Sequence, residues 1–169
     1  MAKSRDEALE DGRVDAVTDA VLTASRLLVA VSARSIAAVD DSITLAQFRL
    51  LVVLSTRDEQ KVTDLADALG VNPSSATRAV DRLTEAGLVD RQVNPRSRRE
   101  TQISLTRAGR RVVREVTRRR REEIAAIVAR MPRTHQSGLV RALAAFSAAG
   151  GEPPVDMATT SLPNEVNWV

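Results

Sequence analysis

The run Leu69-Gly70-Val71-Asn72-Pro73 constrains what this chain can fold into more than any other stretch, because it ends one helix and starts another within a few residues. Upstream, a short helix starting at Thr63 puts Leu65 and Leu69 on one face, and Gly70 stops it. Downstream, Asn72 can accept a hydrogen bond from a backbone N–H that has no partner inside its helix, and Pro73 at the first helical position gives up a donor that had none either. Gly87 closes this second helix after about fourteen residues, an ordinary length. The pattern predicts a helix-turn-helix.

At about 100° per residue, Ala76, Val80 and Leu83 fall on one side of the second helix, with Ser74, Arg78, Asp81, Arg82 and Glu85 opposite. The first side is a core face. The second begins with small hydroxyl residues and continues into two arginines, which suits a helix lying in a major groove. Arginine bonds guanine O6 and N7 with two hydrogen bonds, and serine or threonine reaches base edges or phosphates. The candidate contacts on this helix are Asn72, Ser74, Ser75, Thr77, Arg78 and Arg82. An ordinary solvated helix, with Arg78 and Arg82 paired to Asp81 and Glu85, is the competing reading.

The next segment shifts the balance. Residues 88–94 and 100–105 read as two strands; in the second, Thr101, Ile103 and Leu105 alternate with Glu100, Gln102 and Ser104, the period of a half-buried strand. Between them lies Asn94-Pro95-Arg96-Ser97-Arg98-Arg99. Arginines crowded at a hairpin tip repel one another and bury nothing, so folding supplies no reason for them, whereas a polyanion does. Arg96, Ser97, Arg98 and Arg99 are therefore candidate contacts of a DNA-binding wing, set against a merely solvated loop.

Here the residues resemble the MarR transcriptional regulators, dimeric winged-helix proteins of bacteria and archaea. The similarity spans residues 44–109. Thr44-Leu45-Ala46-Gln47-Phe48 resembles the opening of the family's second helix, and Leu69-Gly70-Val71 precedes its recognition helix, which residues 74–83 resemble in turn. Ile103-Ser104-Leu105-Thr106-Arg107-Ala108-Gly109 is similar to the exit from the wing, and Arg99 falls where the family places an arginine that enters the minor groove. One departure stands out: the family usually has an acidic residue two positions before that arginine, and this chain has Ser97.

Charge is distributed to match. The net charge of +3 hides a strong asymmetry: residues 1–71 carry −4, residues 72–121 carry +9 and residues 122–169 carry −2. The 169 residues fit one domain per subunit, and with aromatics at 2% its core must come from Leu, Val, Ile and Ala. Without cysteine there is no disulfide, thiolate metal site or thiol redox switch. His135 stands alone, in the first turn of the last helix, as a cap or surface residue. With no histidine-centred triad, ligand cluster or glycine-rich phosphate loop, an enzyme is not expected, nor a cofactor or metal. The N-terminus lacks an apolar signal region, and no stretch nears ~18 uninterrupted apolar residues, so a soluble cytoplasmic protein is expected.

The rest of the chain predicts helices around this head. Residues 1–12 read as a loose arm. From Val14 to about Val39 apolar residues recur at Val17, Val21, Leu28 and Val31, a helix with more apolar surface than a small domain covers. Thr44 and Gln47 form a capping box before Phe48, Leu51 and Val52. Thr106 caps a long helix running to about Met131-Pro132, where Arg118 to Arg121 cover most of a turn, so one of them must point inward, snorkel or meet a partner subunit. A last helix, 134–149, carries Leu139, Val140, Leu143 and Phe146 on one face, and residues 152–169, with Trp168, read as a disordered tail.

The expected fold is mainly α with a small β-hairpin wing, a winged helix-turn-helix flanked by dimerisation helices. The arm and first dimerisation helix occupy 1–40, the DNA-binding region 41–109, the C-terminal dimerisation helices 110–150, and a flexible tail 151–169. The expected function is a homodimeric regulator, a repressor, on a pseudo-palindromic operator in double-stranded DNA. By resemblance, a small phenolic or anionic effector binds between the dimer helices and the head, with Arg26, Phe48 and Arg49 as its pocket. The alternative is a winged-helix interaction module whose arginines meet an acidic protein partner.

Overall fold

The computed structural model describes residues 2–57, 59–94 and 97–151, with side chains described over 11–57, 59–92 and 101–151. Its elements run α1 (Ala2–Ala37), α2 (Leu45–Arg57), α3 (Val62–Leu69), α4 (Pro73–Glu85), β1 (Val89–Asn94), β2 (Ser97–Leu105), α5 (Arg107–Ala129) and α6 (Arg133–Ala149). Helix α2 is the hub. It touches α1, α3, α4, α5 and β2, because Phe48, Leu50, Leu51 and Leu54, all buried, give it a broad apolar face. Its start is a reciprocal capping box: the Thr44 N–H donates to Gln47 Oε1 at 2.8 Å and the Gln47 N–H to Thr44 Oγ1 at 3.2 Å.

Around α2 the core closes with Ile36, Leu65, Val80, Leu83, Ile103 and Val116, one or two residues from each surrounding element. The core face read on α4 is the one it buries: Ala76, Val80 and Leu83. Gly70 ends α3 in the left-handed region at φ 66°, which glycine reaches without a Cβ clash. β1 and β2 pair antiparallel, Val89 opposite Leu105 and Arg91 opposite Ile103. The register shifts between Val93 and Asn94, which lets the ladder resume at Asn94 and Ser97. The second strand therefore begins at Ser97, not at residue 100. A third segment joins this small sheet, since Gln60 exchanges two backbone hydrogen bonds with Ile103, at 2.9 and 2.8 Å.

The long helices leave much of themselves outside this core. The expected loose arm is helical from Ala2; nothing in residues 2–12 breaks a helix before Gly12, and Ala2, Lys3, Arg5, Glu7, Ala8 and Leu9 are good helix formers. Among the described side chains of α1, only those near its end, from Val31 to Ile36, enter the core, while Val14, Val17, Leu22 and Val29 are each more than half exposed. Over Asp11–Ala37 the helix is long and apolar enough by length and composition to cross a bilayer, with a mean hydropathy of 1.5 over its best window. Helix α6 has no buried residue, and Val140 and Phe146 on its apolar face are 69% and 55% exposed. It is moored to α5 by the Gln136 side-chain amide, which donates to the carbonyls of Val128 and Met131 at 3.2 Å. The tail, 152–169, and with it Trp168, lies outside the described residues.

Candidate nucleic-acid interface

The N-terminus of α4 is built by Asn72. Its Oδ1 accepts from the Ser75 N–H at 2.9 Å and from Ser74 Oγ at 2.8 Å, so the side-chain carbonyl is spent on the cap. Thr77 Oγ1 donates back to the Pro73 carbonyl at 2.8 Å. The hydroxyls of Ser74 and Thr77 thus use their protons locally and offer lone pairs outward. Ser75 is half-buried, and its Oγ accepts from Arg78 Nη2 at 3.3 Å. Ser74, Arg78 and Arg82 lie on the exposed side of the helix, as their spacing predicted, and Thr77 is exposed as well.

The competing arrangement, in which this helix neutralises its own arginines, does not form. Asp81 Oδ1 instead receives Arg91 Nη2 of β1 at 2.7 Å. Among the described residues, neither Arg78 nor Arg82 has a carboxylate partner. Arg91 was not singled out from sequence, although a signal was there. It sits two residues after Val89, at a position that the strand's alternation assigns to the core-facing side, and a cation there must reach for a partner.

The root of the wing is fastened to α5. Thr106 Oγ1 donates to the Gly87 carbonyl at 2.7 Å and accepts the Gly109 N–H at 3.1 Å, while the Thr106 N–H donates to the Leu88 carbonyl at 3.1 Å. Gly109 lies so close to Leu88 that a Cβ would sit 2.1 Å from that carbonyl oxygen. Of the wing candidates, Arg96 lies outside the described residues; Ser97, Arg98 and Arg99 belong to β2 by backbone, and their side chains lie outside the described ones.

Farther along α5 the arginine run is largely consumed by the helix itself. Arg118 bonds Glu115 and Glu122, each at 2.6 Å, and Arg119 bonds Glu115 at 2.9 Å. Arg118's hydrogen bond holds the Glu115 carboxyl down at about 2, with Arg119 adding to it and partial burial opposing. Arg120 is the member that turns inward, its Nε buried without a hydrogen-bond partner. Glu123 pairs with Arg34 and so ties α5 to α1.

Of the three residues read as an effector pocket, none lines either of the two crevices among the described residues. Phe48 is 2% exposed and its ring is part of the core around α2, while Arg26 and Arg49 are exposed. Two open crevices lie elsewhere. One of about 670 Å³ is lined by Arg57, Glu59, Gln102, Ser104 and Arg110 at the wing base. The other, about 330 Å³, is lined by Arg34, Ser35, Arg119 and Glu123 between α1 and α5. His135 is exposed at the start of α6, its ring 3.4 Å from the Thr134 hydroxyl.

This architecture is a winged helix, and comparison with known proteins places it. Residues 43–101 match the model of the MarR family. Over 67 residues the chain is 36% identical to the HTH-type transcriptional repressor MdtR of Bacillus subtilis, covering 40% of this chain and 43% of that protein. Among solved structures it is similar to RV1404 from Mycobacterium tuberculosis, at 57% identity and TM-score 0.79, over 85% of this chain and 97% of that one. The chain belongs to the MarR family. The family is one of transcription regulators rather than enzymes. Its fold extends to a mutant of MepR from Staphylococcus aureus solved bound to an oligodeoxyribonucleotide, at 19% identity and TM-score 0.61, over 79% of this chain and 96% of that one. The chain spans less than half the length of the curated HTH-type relatives it matches.

Proposed function

We propose that this chain is a cytoplasmic transcriptional regulator, a repressor, that binds a pseudo-palindromic operator as a homodimer. The observation that carries the reading is the state of α4: its exposed face presents Arg78 and Arg82 with no carboxylate partner among the described residues, and the nearby Asp81 is held by Arg91. The +9 charge of residues 72–121 lies on the same head and the helix after it. The exposed apolar surface of α1 and α6 supports the dimer, since Val14, Val17, Leu22, Val140 and Phe146 want cover that a second copy supplies. Two α4 helices related by a two-fold axis would enter successive major grooves, ~34–36 Å apart. The wing arginines Arg96, Arg98 and Arg99 would lie along the backbone and adjoining minor groove. A small phenolic or anionic effector, held near Arg26 and Arg49 where the dimer helices meet the head, would release DNA by changing the separation of the two heads.

A salt titration tests the core of this. If a dimer neutralises ~8 phosphates, log K on duplex DNA falls with a slope near −7 against log salt. A slope near zero, or a monomer by sedimentation at working concentration, overturns the proposal and favours an acidic protein partner for the same arginines.

A further inference from the structure

Three and four residues apart, ionic side chains on one helix face of this protein pair readily. On α5, Arg118 meets Glu115 three residues before it and Glu122 four residues after it, both at 2.6 Å. Arg78 and Asp81 of α4 have the same spacing and lie on the same exposed face, yet they do not pair. The difference is Arg91. It reaches from β1 to take Asp81 at 2.7 Å, with both side chains still about one-third to one-half exposed, at 35% and 45%. Arg78 is left resting on nothing stronger than the Ser75 hydroxyl at 3.3 Å.

We infer that Arg91 is a positioning residue which, by occupying Asp81, keeps Arg78 free to reach a base. Without Arg91, the α4 cation spaced from the Asp81 carboxylate as Arg118 is from Glu115, three residues away, is Arg78. An arginine drawn into that pair must break it before it can form two hydrogen bonds to guanine, and the aspartate it leaves faces phosphate unneutralised. Arg91 thus acts through Asp81 on Arg78 and touches no base itself. This inference rests on the DNA-binding reading of α4.

The test uses the full chain and two duplexes: one that the wild-type protein selects from a randomised library, and one of random sequence. Arg91→Gln is expected to weaken binding to the selected duplex about tenfold, a loss of the size expected when an exposed ion pair must be broken and a carboxylate is left facing DNA. In an Asp81→Asn background the same Arg91→Gln change is expected to alter affinity less than about twofold, because no carboxylate remains to capture Arg78. Arg91→Lys, which keeps a cation on Asp81, restores most of the wild-type affinity. If Arg91→Gln loses the same factor in both backgrounds, Arg91 contacts DNA or braces the wing, and the inference is wrong. A second measurement does not involve DNA. The Arg78 Nε–H signal in free protein exchanges with water more slowly in Arg91→Gln than in wild type, and equal rates overturn the inference. If wild-type protein binds neither duplex, the DNA-binding proposal fails, and the Arg78 signal still decides whether Arg91 keeps that side chain free.

Discussion

Replacing Gly109 with alanine adds one methyl group at the place where α5 meets the wing. The Cβ would lie 2.1 Å from the Leu88 carbonyl oxygen, and 3.1 Å from both Leu88 C and Leu105 Cδ2. Relief requires a shift of about 1 Å or more, and the atom in the way is backbone. Leu88 cannot yield alone: its carbonyl accepts from Thr106 N–H at 3.1 Å, its N–H donates to Leu83 O at 2.9 Å, and Gly87 beside it holds the Thr106 hydroxyl. Overpacking of this kind costs about 1–3 kcal/mol, each hydrogen bond lost adds about 1, and the better helix propensity of alanine returns about 1. With two of these hydrogen bonds given up, the net loss is about 2–4 kcal/mol, which lowers the thermal midpoint by about 4–15 °C. Gly138→Ala is the matched control, since that glycine lies inside α6 with nothing within 4 Å of the added methyl. There alanine should gain up to about 1 kcal/mol. Urea denaturation followed by circular dichroism measures both. If Gly109→Ala lies within about 0.5 kcal/mol of wild type, the claim that the wing root is pinned against α5 is wrong.

Asn72→Ala removes the acceptor of both Ser75 N–H and Ser74 Oγ and should cost about 1 kcal/mol in the same assay. Arg78→Ala should weaken binding to a selected duplex by about 5- to 150-fold and relax preference at one base pair per half-site, whereas Arg98→Ala weakens selected and random DNA alike. Equal losses for both variants on both duplexes would contradict this division of roles. The Glu115 carboxyl, lowered to about 2 by its hydrogen bond to Arg118, stabilises the fold fully above the ordinary carboxylate value of 4.5 and loses that contribution as pH falls through about 2. The stability difference between wild type and Glu115→Gln should therefore be flat near neutral pH, shrink between pH 4.5 and 2, and diminish with added salt.

Features set by chemistry within one helical turn were legible from sequence. Asn72-Pro73, Gly70, the Thr44–Gln47 box and the Thr106 cap each depend on a side chain meeting backbone a few residues away, or on a backbone angle that one residue type tolerates. The candidate face of α4 followed from the helical period alone. What escaped depends on pairings that periodicity does not encode. Asp81 was weighed against arginines of its own helix, yet its partner lies on a strand. β2 starts three residues early because a shift at Val93 and Asn94, invisible in a stretch without alternating apolar residues, lets the ladder reach Ser97. The depth of Phe48 in the core also escapes the sequence, which does not show that other elements surround α2 on so many sides.

The two hydrogen bonds between Gln60 and Ile103 close the chain into a loop that encloses α3, α4 and most of the hairpin. The entropy of closing such a loop is met before its contacts form, so the segment has little reason to fold piece by piece. Ile103 is fully buried, and its amide is one of the two donors in the clasp. Its hydrogen can exchange with solvent only when the clasp opens, which frees the helices and the hairpin together. The reading head is therefore one cooperative unit, and a peptide cut to begin after Gln60 would lose the residue that holds the loop shut.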